Sequence, residues 1–136
     1  MAAHVREAGI SPQVVICSTA TRARQTLAGV QHGLSPSPEV RFDDDAYTFE
    51  WRALLGLVRG LDDAVDAVML VGHNPAMQDL AVTLAGGGDD LAAVKAKVPT
   101  GALIALDFEV HSWGVVEVGC ATVASFTKPR SLEARR

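Results

Sequence analysis

Short unbroken apolar runs alternate along this chain with stretches in which apolar residues recur every three or four positions. The run AVMLV that heads Ala67–Pro75 (AVMLVGHNP) lies between two helical patterns, and it predicts a strand buried on both faces of a parallel sheet. A second run, QVVICS from Gln13 to Ser18, predicts another strand. Residues 2 to 8 read as the last turns of a helix ending at Gly9. Helical spacing then links Ala20, Ala23, Leu27 and Val30 up to about His32, where Gly33 and LSPSP close the segment. Trp51, Leu54, Leu55, Val58 and Leu61 mark the next helix. Met77, Leu80, Ala81 and Leu84 mark a third, from about Pro75 to Ala85. Between the first two lies a short extended piece at Val40 to Phe42, before Asp43-Asp44-Asp45.

After Gly86-Gly87-Gly88 the pattern predicts a short helix and then two extended segments, Gly101 to Val110 and Val115 to Phe126. Joined by His111-Ser112-Trp113-Gly114, they read as an antiparallel hairpin. Ala102, Ile104, Leu106, Phe108 and Val110 share one face, as a half-buried edge of a larger sheet requires. Alternating strands and helices imply parallel crossovers, so the expected fold is a single three-layer α/β/α domain over residues 1–136. Its sheet is mostly parallel and ends in the antiparallel hairpin.

At 136 residues and 49% hydrophobic content, one real core fits the length. Aromatics are only 5%, so alanine, valine and leucine must fill it. A net charge of −4 supplies no basic field for nucleic acid, and no apolar stretch reaches the ~20 residues of a membrane span. The expectations are no nucleic-acid or membrane partner and a cytoplasmic location; no oligomeric state is specified. Cys17 and Cys120 each sit inside an apolar run without a neighbour at metal-ligand spacing, which predicts buried thiols and no metal site.

Chemistry concentrates at two strand ends. Ligand sites in open α/β sheets lie at the carboxyl ends of the strands, which is where His73 is delivered. Pro75 suits the first turn of the helix that follows. In CSTATRARQT, Cys17 to Thr26, a strand turns into a helix, with Ser18 a candidate cap and Arg22 in the first turns on the same rim as His73. A guanidinium grips two phosphoryl oxygens at once and an imidazolium adds a charged donor, so the pair suits a phosphate without a metal or other cofactor. Each residue alone has an ordinary explanation, a surface charge for Arg22 and a hydrogen-bonded structural residue for His73. Arg24 points to another helix face, toward solvent or a carboxylate. A cysteine-phosphatase loop fails by counting: only Ser18 to Thr21 separate Cys17 from Arg22, one residue too few, and the loop has no glycine to wrap a phosphate.

STATRARQT resembles the S-x-x-x-R-A-x-Q-T segment of the histidine phosphatase superfamily, the phosphoglycerate-mutase-like fold. VGHNP resembles that family's second catalytic-histidine motif, in the right order and about fifty residues later. The length, the VPTGAL segment from Val98 to Leu103 and the closing hairpin look most like small bacterial phosphohistidine phosphatases. The resemblance implies a cofactor-free hydrolase that passes a phosphoryl group to a nucleophilic histidine and then to water. Arg22, His73 and Ser18 would line the phosphate site, with Arg22 and His73 as catalytic charge-stabilising groups. The substrate would be a phosphohistidine protein or a phosphomonoester.

Two departures qualify that resemblance. The family nucleophile stands in an R-H-G or R-H-A motif after a first strand, and these 136 residues contain neither motif. The expectation is a recorded sequence truncated before that strand. His4, His32 and His111 are expected to lie away from the rim, in surface or structural roles. The family's acid would fall near Thr48, where Glu50 and Asp45 do not match by spacing; the small phosphohistidine phosphatases resemble this chain in that respect, and an imidazole leaving group needs less acid help than an alkoxide. A noncatalytic phosphate- or phosphohistidine-binding module is the alternative, and a purely structural interaction domain is a third reading.

Overall fold

The computed structural model describes residues 1–129 and Leu132. Helix α1 (Ala2–Glu7) leads through Gly9, at φ +69, to strand β1 (Val14–Ser18). Helix α2 (Thr21–Gln31), strand β2 (Glu39–Asp43), a 3-10 turn (Asp44–Ala46), helix α3 (Trp51–Arg59) and strand β3 (Val68–Val71) follow. The three strands form a parallel sheet in the order β2-β1-β3, with Val14 beside both Glu39 and Val68 and Cys17 beside both Phe42 and Val71.

All five β1 residues are buried, because its two edges are paired and its two faces covered. Side chains alternate across a strand. Val14 and Ile16 join Leu54, Leu55 and Val58 of α3 with Leu80 and Leu84 of the next helix, α4 (Ala76–Leu84). Val15 and Cys17 join Val5 of α1 and Ala23 and Leu27 of α2 on the opposite face. The three expected layers are therefore present. Gly33 seats α1 against the end of α2, where a Cβ would lie 2.0 Å from the Ala2 carbonyl oxygen.

The second central strand departs from expectation. Of β3 only Val71 is buried, and the other three residues are partly exposed. Among the described residues β3 pairs with β1 alone, so its far edge is open and the predicted two-sided burial belongs to β1 instead.

The rest of the chain forms a separate three-stranded sheet, β4-β6-β5, where one continuous sheet was expected. Strand β4 (Ala85–Gly87) leaves α4 directly, and helix α5 (Leu91–Ala96) precedes β5 (Leu103–Phe108) and β6 (Ala121–Thr127). The expected antiparallel pairing of β5 and β6 is present, from Leu103 opposite Thr127 to Phe108 opposite Ala121. The turn between them is much longer than four residues. Its 3-10 segment, Trp113–Val115, is drawn away from the hairpin by bonds from Trp113 Nε1 to the Val65 carbonyl at 2.7 Å and from Ser112 Oγ to Asp63 Oδ1 at 2.9 Å. Strand β4 was not foreseen, since a glycine run carries no apolar alternation. Gly88, at φ +117, closes it where a Cβ would meet the Val123 carbonyl oxygen at 2.5 Å, a conformation only glycine adopts cheaply.

Candidate active site

Because β1 and β3 are parallel and in register, the residues that follow them emerge on one rim. Ser18 ends β1 and is fully buried; His73 stands two residues beyond the end of β3. The imidazole Nε2 lies 2.8 Å from Ser18 Oγ. That hydroxyl also accepts the Ala20 amide at 3.2 Å, and with one donor and two lone pairs a hydroxyl can serve both neighbours. Ser18 therefore fixes the imidazole ring against the end of β1.

Ser18 does not cap α2, contrary to expectation. The N-cap is Ala20, with no side-chain cap bond, because the serine hydroxyl is engaged by His73 and by the Ala20 amide. The intrahelical ladder begins with the Arg24 amide donating to the Ala20 carbonyl at 3.1 Å. The amides of Thr21, Arg22 and Ala23 precede it, and such first-turn donors favour an anion.

Arg22 lies in that first turn with an exposed side chain. Its carbonyl accepts from Thr26 Oγ1 at 3.0 Å, and among the described residues its guanidinium makes no hydrogen bond or ion pair. The structure thus brings Ser18 and His73 into contact, and Arg22 stands in the first turn of the helix that follows Ser18, with no side-chain partner among the described residues. Arg24 is exposed to solvent, one of the two expectations for it, and it meets no carboxylate among the described residues. Its Nε donates to the Thr19 carbonyl at 2.9 Å and its guanidinium lies 4.3 Å from the Phe42 ring centre, so it braces the loop.

Three neighbours escaped the sequence reading. The Tyr47 ring sits 5.0 Å from the His73 ring, tilted by 32° and itself more than half exposed. Thr19 Oγ1 donates to Asp44 Oδ1 at 2.7 Å, tying the loop after β1 to the 3-10 turn after β2. Asn74 donates from Nδ2 to the Val98 carbonyl at 2.9 Å and accepts the Gln78 amide at 3.2 Å, fastening the VPTGAL segment beside the rim. Only Asn74 had a local signal, its place next to His73. Tyr47 and Asp44 arrive through the register of β2 against β1.

Cys17 faces the core on the α2 side, and its thiol donates to the Ser18 carbonyl at 3.3 Å. Burial pushes its pKa above the ordinary 9.0, with Arg24 pulling weakly the other way. A thiol held neutral is no nucleophile. Both cysteines are free, Cys120 being half-buried. Of the remaining histidines, His4 Nε2 meets Thr127 Oγ1 at 3.2 Å, His32 ends α2 with its carbonyl accepting from Arg6, and His111 belongs to the β5–β6 connection. Among the described residues no three His, Cys, Asp or Glu side chains gather as a metal site, and no helix is long and apolar enough to cross a membrane.

No family model matches the chain. The uncharacterized protein Rv1276c of Mycobacterium tuberculosis is 36% identical to it over 140 residues, covering 93% of this chain and 85% of that protein. The uncharacterized protein ML1117 of Mycobacterium leprae is 29% identical over 119 residues, covering 85% and 71%. The crystal structure of a provisionally assigned phosphohistidine phosphatase SixA from Agrobacterium tumefaciens superposes with a TM-score of 0.75 at 27% identity, over 94% of this chain and 75% of that one. Its counterpart from Nakamurella multipartitia gives 0.72 at 24% identity, over 94% and 79%, and speaks to the fold alone. The α/β architecture is the one these phosphatase-like neighbours share.

Proposed function

We propose that this chain, which belongs to the same family as the uncharacterized Mycobacterium tuberculosis protein Rv1276c, is a hydrolase of the histidine phosphatase type that grips the phosphoryl group of a phosphohistidine protein or a phosphomonoester. The observation that carries the reading is the contact of His73 Nε2 with Ser18 Oγ at the start of a helix whose first turn bears the unpaired Arg22. A trigonal phosphoryl group presents three equatorial oxygens, and its transition state is stabilised by positioned charge. Arg22 would take two oxygens through its planar fork, the uncapped α2 amides would face the third, and His73 would add a charged donor oriented by Ser18. The likeness to phosphohistidine phosphatases supports phosphohistidine as the substrate class, with Tyr47 flanking the bound group.

The nucleophile that the resemblance implies belongs to an R-H-G or R-H-A motif, and the 136 residues include none. That fact keeps a second reading in play, a phosphate- or phosphohistidine-binding module that holds the group without turning it over. One comparison separates them: release of phosphate from a phosphohistidine peptide and from p-nitrophenyl phosphate by the unaltered chain and by His73→Ala. Turnover that falls at least 100-fold in the variant supports the hydrolase, since one oriented charged donor at a transition state is worth about 2.7–4 kcal/mol. Phosphate affinity without turnover in the unaltered chain supports the module, and neither affinity nor turnover contradicts both.

A further inference from the structure

Four phenylalanines, two tryptophans and one tyrosine are the aromatic residues of the chain, and three of them, Phe42, Tyr47 and Phe49, stand exposed on β2 and the loop after it. Phe42 is taken up by Arg24, whose guanidinium lies 4.3 Å from its ring centre. Tyr47 is turned toward the rim instead, with its ring centre 5.0 Å from that of His73. The backbone beneath it is fixed. The Tyr47 amide donates to the Asp44 carbonyl at 3.0 Å, Asp44 Oδ1 accepts from Thr19 Oγ1, and Ala46 is buried. A Cβ on Gly72 would lie 3.7 Å from the Ala46 carbonyl oxygen, so the turn that carries Tyr47 rests on the residue just before His73. A ring held by its backbone and still 58% exposed has little freedom left to lose on binding, which is the condition for adding affinity.

We propose that Tyr47 selects ligands whose phosphoryl group is bonded directly to a flat aromatic ring, an azole or a phenol, by stacking on that ring. The inference deepens the phosphate reading and rests on it. Aromatic rings pair with their centres about 4.5–7 Å apart, so a phosphoryl group gripped by Arg22 and His73 lies within one ring's reach of Tyr47. When the ring is bonded to phosphorus, its face falls beside the Tyr47 ring. An alkyl phosphate puts a tetrahedral carbon there and offers no flat face. Tyr47 thus reads the group that carries the phosphoryl, and the grip on the phosphoryl oxygens stays with Arg22, His73 and the α2 amides.

The test is calorimetric titration of the whole chain with inorganic phosphate, phenylphosphonate, 1,2,3-triazol-4-ylphosphonate and cyclohexylphosphonate. In the phosphonates a carbon–phosphorus bond replaces the labile one, and the cyclohexyl ring matches phenyl in size but is puckered. Stacked aromatic pairs contribute about two- to tenfold in affinity, so at least one flat-ring phosphonate should exceed the cyclohexyl one by that factor. Tyr47→Leu should abolish the preference, Tyr47→Phe should keep it, and inorganic phosphate should bind alike to all three proteins. The flat ring that binds more tightly identifies the source, triazole for a phosphohistidine and phenyl for a phosphotyrosine, and either supports the proposal. Equal affinity for flat and puckered rings, or a preference that survives Tyr47→Leu, would overturn it while phosphate binding left the phosphate reading standing. Absence of binding by every one of these anions would overturn that reading and the inference with it.

Discussion

At the scale of single residues the rim is organised by Ser18, a buried hydroxyl that holds an imidazole and a backbone amide together. Ser18→Ala should destabilise the chain by about 0.5–1.5 kcal/mol, because the part-buried Ala20 amide loses its acceptor. Denaturant unfolding measures that loss, and phosphate affinity should fall with it as His73 loses its orientation. Cys17 makes an opposite kind of prediction. Its folded pKa is raised above 9.0 by burial, so the contribution of the neutral thiol to stability is intact below that value and disappears as pH rises through the folded one. Unfolding free energy compared at pH 8 and pH 10 should decline less in Cys17→Ala than in the unaltered chain. The positions of Arg22, Ser18 and His73 at strand ends were legible in the sequence, because period and strand-end logic place them. The partner of Ser18 was not. A serine before a helix commonly caps it, and only the tertiary approach of β3 hands its hydroxyl to His73 instead.

At the scale of elements, α1 through α4 and β1 through β3 follow the apolar periodicity to within a residue or two. Those elements are the ones whose burial is set by facing neighbours on both sides of β1. The failures cluster after residue 84. Strand β4 is three residues long and mostly glycine, so it exists through the parallel pairing with β6 and not through any pattern of its own. The β5–β6 hairpin is shortened because Ser112 and Trp113 bond to the segment before β3, a long-range attraction invisible to local alternation. Gly88→Ala tests how much β4 contributes. With φ at +117 and the Val123 carbonyl oxygen 2.5 Å from the new Cβ, it should cost about 1–3 kcal/mol, seen as a lower denaturation midpoint, whereas Gly29→Ala, with open space around it, should not destabilise.

At the scale of the whole molecule, two sheets meet at a cleft and the phosphate rim stands at the ends of the strands beside it. The expected fold class holds, while the single sheet of the expectation is divided in two. Fold class is legible because alternation of strands and helices depends on local pattern; division of the sheet depends on which edges find partners, which local pattern does not encode. The function proposed for the rim requires that Arg22 and His73 act on one ligand, although they make no hydrogen bond to each other in this structure. Calorimetric titration of inorganic phosphate at low ionic strength into the unaltered chain, Arg22→Ala and Arg24→Ala addresses that requirement. A charge-assisted pair of hydrogen bonds contributes about 1.5–3 kcal/mol, so one site per chain should bind at least tenfold more weakly in Arg22→Ala and unchanged in Arg24→Ala. Equal affinity in all three proteins, or no binding to the unaltered chain, would contradict the account.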